Sequence, residues 1–351
     1  MSKKKVAVLG ATGAVGQRIV HMLRNHPWFD VATLTAGRSA GKRYGDAVKW
    51  LLPDGVPEKL RDAVVDPSSP DAVEADFVFS ALPSDVAKEI EPAFAKAGFP
   101  VVSNSGAYRM EPDVPLIVPE VNSDHVKLID TQKANRGWDG FIATDPNCST
   151  INFVMALKPL QNMMSITRVI VTTMQAISGA GYPGLPSLDI LGNVIPYIGG
   201  EEEKMQTETR KMLGVLKGGF VNEAPFKVAA SCNRVPVVDG HLEAIYLEST
   251  ERIDLDEVET AFRGFKGKAH ELRLPTSPEK PVILREEDDR PQTRLDRLAG
   301  SVPGMSVSVG RVRHGLDEHS LQFVALGYNT IRGAAGGAIT LAELLAAEGY
   351  L

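Results

Sequence analysis

The sequence has few cysteines, no long apolar run and no excess of positive charge, and each shortage removes a class of function. Cys148 and Cys232 are the only cysteines in 351 residues, too few for the disulfide framework that supports small secreted domains. Lys3, Lys4 and Lys5 precede an apolar run, 6–9, that Gly10 cuts short. That run is too brief for a signal peptide, and no later stretch is apolar for long enough to span a bilayer. The expected compartment is the cytoplasm. A net charge of -6 argues against broad nucleic-acid binding, although a few converging Arg and Lys residues can still hold a small anion. No metal site, internal repeat or low-complexity tract is evident.

What is present suits two packed α/β domains, since one domain takes roughly 100–200 residues. In the first half, strand-like segments 5–9, 31–36, 76–81 and 100–103 alternate with helical patterns at 17–25 and 84–97. Such alternation implies right-handed crossovers and a parallel, doubly wound sheet of the Rossmann kind. After about residue 150 the strands lengthen and alternate in polarity, at 166–175, 227–235, 241–250 and 305–312. This predicts a mixed, mostly antiparallel α+β sheet with helices on one face. The segments 275–281 and 286–297 read as surface loops or an arm, and 331–347 as an Ala- and Leu-rich helix that packs back on the first domain. The expected division is 1–149 with 329–351, and 150–328.

Gly10-Ala11-Thr12-Gly13-Ala14-Val15-Gly16 stands between the first strand and the first helix. Glycine permits the tight turn and lets a pyrophosphate approach, and the helix N-terminus supplies free N–H groups. Gly10, Thr12, Gly13, Ala14 and Val15 are the candidate contacts. The second strand leads into Arg38, Ser39 and Lys42, with no carboxylate before Asp46. An NAD site commonly carries an acid there for the ribose 2′-hydroxyl, whereas these cations suit a 2′-phosphate, so the expected cofactor is NADP.

Asp145-Pro146-Asn147-Cys148-Ser149-Thr150 precedes a helical pattern at 151–160. Capping types around Cys148 place it at a helix N-terminus, where the dipole favours a thiolate and a lowered pKa. Cys232, inside the strand-like Val228-Ala229-Ala230-Ser231-Cys232, reads as an inert structural residue.

These motifs, with Ser103-Asn104-Ser105-Gly106, Pro119-Glu120-Val121-Asn122, Gln175-Ala176-Ile177-Ser178-Gly179-Ala180-Gly181, Asn233-Arg234-Val235-Pro236-Val237 and Gly240-His241, resemble aspartate-semialdehyde dehydrogenases over nearly the whole chain. The likeness is to the archaeal and fungal-type branch. It implies NADPH-dependent reductive dephosphorylation of L-aspartyl 4-phosphate to L-aspartate 4-semialdehyde, reversible and through a cysteine thioester. That reaction belongs to the biosynthesis of lysine (by way of diaminopimelate), threonine and methionine. Cys148 is then the nucleophile, His241 the acid/base and Gln175 a substrate-orienting residue. Arg234 clamps the α-carboxylate, Arg109 and Lys204 bind phosphate with Asn104 assisting, and Glu201 takes the α-ammonium. Asn147 helps hold the oxyanion. Asn329 orients the nicotinamide amide, and Ser80, Ala81, Leu82, Ser178 and Gly179 complete the cofactor contacts. The resemblance also implies that the second domain mediates dimerisation, in a homodimer or homotetramer.

Read without the resemblance, His314 and His319 rival His241, and the helix 201–208 is a solvated charged surface. The nearest functional rival is a malonyl-CoA or succinyl-CoA type of acyl-CoA reductase on the same scaffold. Such enzymes need no ammonium partner, so Asn147-Cys148, Glu201 and Lys204 favour the amino-acid substrate. An NADP-binding regulator would not need the nucleophile, base and charge clamps together.

Overall fold

The computed structural model describes residues 3–351; the first two residues of the expected first domain lie outside them. Five short strands, β1 (Lys4–Leu9), β2 (Phe29–Thr35), β3 (Phe77–Ser80), β4 (Pro100–Ser103) and β5 (Phe141–Thr144), form an all-parallel sheet in the order β2-β1-β3-β4-β5. Helices on both faces bury it, which is why β3 and β5 are apolar without alternation. β5 is absent from the sequence expectation for that reason: Phe141-Ile142-Ala143 is too short a run to separate from a buried helix by period. The chain order reverses beside β1, and ligands of such sheets bind at the carboxyl ends of the strands flanking that point.

The second sheet holds six strands in the order β11-β12-β13-β10-β6-β9. These are β6 (Ile166–Gln175), β9 (Lys227–Arg234), β10 (His241–Ser249), β11 (Val282–Arg285), β12 (Val307–His314) and β13 (Ser320–Gly327); β7 (Val215–Lys217) and β8 (Phe220–Asn222) form a separate hairpin. Pairings β12–β13, β13–β10 and β10–β6 are antiparallel, and the outer two are parallel. The mixed, mostly antiparallel sheet expected is the one observed. One face carries the alternating apolar set Val169, Val171, Ile245, Leu247 and Phe323, packed under the helix Cys148–Gln161.

Two segments depart from the expectation of surface loops. Thr276 is buried, and its backbone N–H and hydroxyl both bond to Glu343 on the C-terminal helix, where His26 also meets the same carboxylate. Asp296 is buried under Arg285 and Arg290 and accepts the Gln292 N–H. Of the two segments, Glu279, Lys280, 286–289, Arg294 and Leu295 stay exposed. Proline and charge mark these stretches as irregular, but their polar groups are satisfied internally, which is the condition for burying a loop.

The C-terminal segment opens with a π-helical turn, Ile331–Ala335, before the α-helix Gly336–Ala347. That helix lies in the core of the parallel sheet, with Ala338, Ile339, Leu341 and Leu345 fully buried. Arg332 makes a bidentate pair with Glu120 at 2.9 and 2.6 Å, both side chains without solvent. Breaking such a buried pair on one side costs about 3–5 kcal/mol. The pair holds the π turn where Gly333 meets Cys148, and a Cβ at Gly333 stands 2.8 Å from the Cys148 Cβ. Among the described residues no helix is long and apolar enough to cross a membrane.

Candidate active site

The helix Cys148–Gln161 starts where β5 ends. Asn147 is its N-cap, its side-chain oxygen accepting from the backbone N–H groups of Ser149 and Thr150 at 3.0 and 3.2 Å. Cys148 is therefore the first helical residue, as its neighbours predict. Its Sγ lies 3.3 Å from Nε2 of His241, the first residue of β10. His314 and His319 are exposed at the other end of the second sheet, where His314 pairs with Leu321. Cys232 is buried in β9 against the Met205 sulfur.

One row of the second sheet supplies three site residues. Gln175, the last residue of β6, stands opposite Arg234 on β9, and β10 runs beside β6 with Leu242 opposite Met174, which brings His241 to the same end. Gln175 donates to Thr173 at 3.3 Å. Arg234 donates to the Ala176 carbonyl at 2.7 Å. Gly179 closes over them: a Cβ there falls 2.7 Å from Arg234 Nη1 and 3.1 Å from His241 Nε2. Asn329 ties this end together, donating to Ser178 Oγ and accepting the Gly240 N–H, each at 2.9 Å.

The electrostatics overturn one expectation. Burial pushes the Cys148 thiol up to about 12, the Glu201 carboxylate adds to the rise, and Arg109, Arg234 and Lys204 oppose it without prevailing. The rise runs against the lowered pKa expected of a helix start, because burial and the neighbouring carboxylate both disfavour the charged sulfur. Burial, aided by Arg234, pushes His241 down to about 3. With both groups shifted this way, the pair is a neutral thiol and a neutral imidazole at pH 7. The Ala176 backbone N–H donates to His241 Nδ1 at 3.1 Å, so the neutral ring carries its proton on Nε2, facing the sulfur.

A third wall comes from the helix Glu201–Met212. Glu201 accepts from Asn147 Nδ2 at 2.6 Å and lies 3.5 Å from the ammonium of half-exposed Lys204. Asn147 is thereby occupied as a helix cap and as the Glu201 partner. Arg109, after β4, donates to the Asn104 carbonyl at 2.8 Å and to Glu208 at 3.2 Å, and its Nε is buried without a partner. The Asn104 side chain donates to Asp145 and to the Ala334 carbonyl, each at 3.0 Å.

Two residues of this wall escape a reading by motif. Glu208 spends its second oxygen on the Asn147 N–H at 2.7 Å. Lys211 gives its ammonium to the carbonyls of Arg109, Glu111 and Val114 at 2.7, 2.8 and 2.8 Å, and burial pushes it down to about 8. The signal was the spacing 201, 204, 208, 211, a single helical face of alternating sign.

The glycine loop is open by contrast. Gly10 has φ +76° and approaches the Ala81 carbonyl so closely that a Cβ falls at 2.8 Å. Gly16 packs onto Gly10, where a Cβ falls 2.3 Å from its carbonyl oxygen. Gly13, the N-cap of the helix Ala14–Met22, is exposed, with Thr12, Ala14 and Val15 half-buried around it. Ser80 ends β3 alongside, and Ala81 and Leu82 follow it. Arg38 and Lys42 are exposed, Ser39 is half-buried, and neither cation forms an ion pair among the described residues. An uncovered helix N-terminus beside free cations has the form that a dinucleotide with a further phosphate requires.

Residues 5–129 match the family model described as the semialdehyde dehydrogenase NAD binding domain, and residues 157–332 the one described as the semialdehyde dehydrogenase dimerisation domain. The chain is 54% identical to an aspartate-semialdehyde dehydrogenase of Archaeoglobus fulgidus, with 98% of each chain covered. It is 42% identical to a malonyl CoA reductase (NADP) of Metallosphaera sedula, over 99% of this chain and 98% of that one. Among solved structures it is similar to aspartate semialdehyde dehydrogenase with NADP from Candida albicans, with a TM-score of 0.91, 42% identity and both chains fully covered. The facing thiol and imidazole, the open glycine loop and these likenesses agree: the chain is an oxidoreductase of the aspartate-semialdehyde dehydrogenase family.

Proposed function

We propose that the enzyme reduces L-aspartyl 4-phosphate to L-aspartate 4-semialdehyde, reversibly, with NADPH and through a thioester on Cys148. The observation that carries the reading is the ring of charge around the sulfur: Arg109 and Lys204 for phosphate, Arg234 for a carboxylate, Glu201 for an ammonium. NADPH, when bound at the glycine loop with its 2′-phosphate near Arg38, Ser39 and Lys42, supplies the hydride. Gly10, Thr12, Gly13, Ala14, Val15, Ser80, Ala81 and Leu82 would hold the dinucleotide, and Ser178, Gly179 and Asn329 the nicotinamide end.

The neutral resting pair gives the substrate a part in activation. An α-ammonium at Glu201 neutralises the carboxylate that raises the thiol, which favours the thiolate when the correct molecule arrives. Sulfur attacks the acyl carbon, the C–O bond to phosphate breaks, and the thiol proton balances the leaving phosphate. In the resting tautomer His241 offers Nε2–H to the sulfur and the oxyanion. It accepts a proton only when Nδ1 releases the Ala176 N–H. After reduction of the thioester, sulfur leaves as the aldehyde carbonyl reforms. Gln175 orients the acyl group, and the enclosing walls exclude water from the thioester. Asn104 and Asn147 act through Arg109 and Glu201.

We assign 1–149 with 329–351 to cofactor binding and 150–328 to catalysis and dimerisation. The outer face of the second sheet supports a homodimer, since Ile170, Thr172, Ala229, Ser231 and Ala244 form an exposed uncharged patch there, with the charges Arg168, Lys227 and Glu248 gathered at one end. Pairing of dimers into a homotetramer, a cytoplasmic location and a place in lysine, threonine and methionine biosynthesis complete the proposal. The acyl-CoA alternative leaves Glu201 without a partner in the substrate. The test is NADP reduction by purified protein given aspartate semialdehyde and phosphate, compared with NADPH oxidation given malonyl-CoA. The expected result is turnover of the semialdehyde only, dependent on phosphate; turnover of malonyl-CoA alone would refute the reading.

A further inference from the structure

The helix Glu201–Met212 presents four charged residues along one face, and the proposed chemistry uses only Glu201 and Lys204. Glu208 and Lys211 continue the stripe inward, both buried. A buried charge is costly unless each of its polar atoms is engaged. Those of Glu208 are engaged by two groups from different loops. One is the Arg109 guanidinium, from the loop after β4, and the other is the Asn147 N–H, from the loop after β5. The three carbonyls that accept from Lys211 span 109–114, the segment that carries Arg109. Arg109 is thus held at its side chain by one residue of the helix and at its backbone by another. Its buried Nε has no partner, which leaves a donor for an incoming anion.

We propose that Glu208 is a positioning residue that fastens Arg109 to the nucleophile loop, with Lys211 fastening the Arg109 segment. This rests on the phosphate role given to Arg109 above. One helix then sets the separation between the anion site and the sulfur. The acyl carbon and its phosphate must fit both at once, so a displacement of either shows in the kinetics. The carboxylate also limits the free charge on Arg109, but its bond to Asn147 assigns it a mechanical task that a mere counter-ion would not need.

The test measures steady-state NADP reduction by the full-length enzyme with aspartate semialdehyde, varying inorganic phosphate. In Glu208→Ala the KM for phosphate rises by about tenfold, while the KM for NADP stays within about twofold. The isosteric Glu208→Gln keeps one of the two bonds and gives a smaller rise, about threefold; it decides the matter if the alanine variant does not fold. Combined with Arg109→Lys, Glu208→Gln adds no further rise, because the group it positions is gone. A purely structural role predicts a lower kcat or melting temperature with the phosphate KM unchanged, and that result overturns the proposal. A fall in phosphate KM also overturns it, since Glu208 would then be competing with phosphate. If the wild type shows no phosphate dependence at all, the functional reading fails first and this inference with it.

Discussion

The glycine loop and the thiol site are built in opposite ways. The loop is contiguous in sequence, open to solvent and defined by backbone: Gly10 and Gly16 are where they are because side chains do not fit. The thiol site draws Cys148, Gln175, Arg234, His241, Glu201 and Arg109 from separate elements, buries nearly all of them and leaves few polar atoms idle. A ligand meets exposed, replaceable charge at the first site. At the second it meets groups whose ionisation the enclosure has already altered. Changes at the loop should therefore shift affinity, and changes at the thiol site should shift reactivity.

That contrast can be broken by mutation. Replacing both Arg38 and Lys42 with alanine is expected to raise the KM for NADP by about tenfold or more and leave kcat and the NAD activity nearly unchanged, since exposed cations contribute uniform binding. Steady-state assays with both cofactors check this; an equal loss with NAD would show that the two residues act on fold rather than on the 2′-phosphate. Glu201→Gln gives the smaller and more telling effect. It removes the second cause of the raised Cys148 pKa, so iodoacetamide should alkylate the free enzyme a few-fold faster at pH 8. In both proteins the rate should climb with pH up to at least pH 10 without a plateau, because the thiol sits near 12. A plateau near pH 7 in the wild type would mean a resting thiolate.

The same contrast explains what could be read from sequence. The loop was legible because strand, glycines and helix follow one another within 13 residues, 4–16. Cys148 was legible as a helix start because capping chemistry is local. Its pKa was not, because the desolvation comes from walls brought in by β6, β9, β10 and the helix Glu201–Met212. β5, β7, β8, β11 and β13 went unread, β5 because burial on both faces erases alternation, β7, β8 and β11 because three or four residues are too few to show a period, and β13 because Gly315 to Ser320 disguises the strand that follows as part of a polar stretch. The helix Glu201–Met212 looks solvated, since a buried stripe of paired charges has no apolar signature. Its partners, Asn147, Arg109 and the carbonyls of 109–114, are known only once the chain has folded.

The account depends on Cys148 forming a covalent bond with the acyl group. Wild-type enzyme mixed with aspartyl phosphate in the absence of NADPH, then quenched in acid and digested, allows the adduct to be located by mass spectrometry. The account predicts one aspartyl group on the peptide carrying Cys148, lost when NADPH is added before the quench. An unmodified Cys148 under conditions where the enzyme turns over, or an adduct on Cys232 instead, would contradict it.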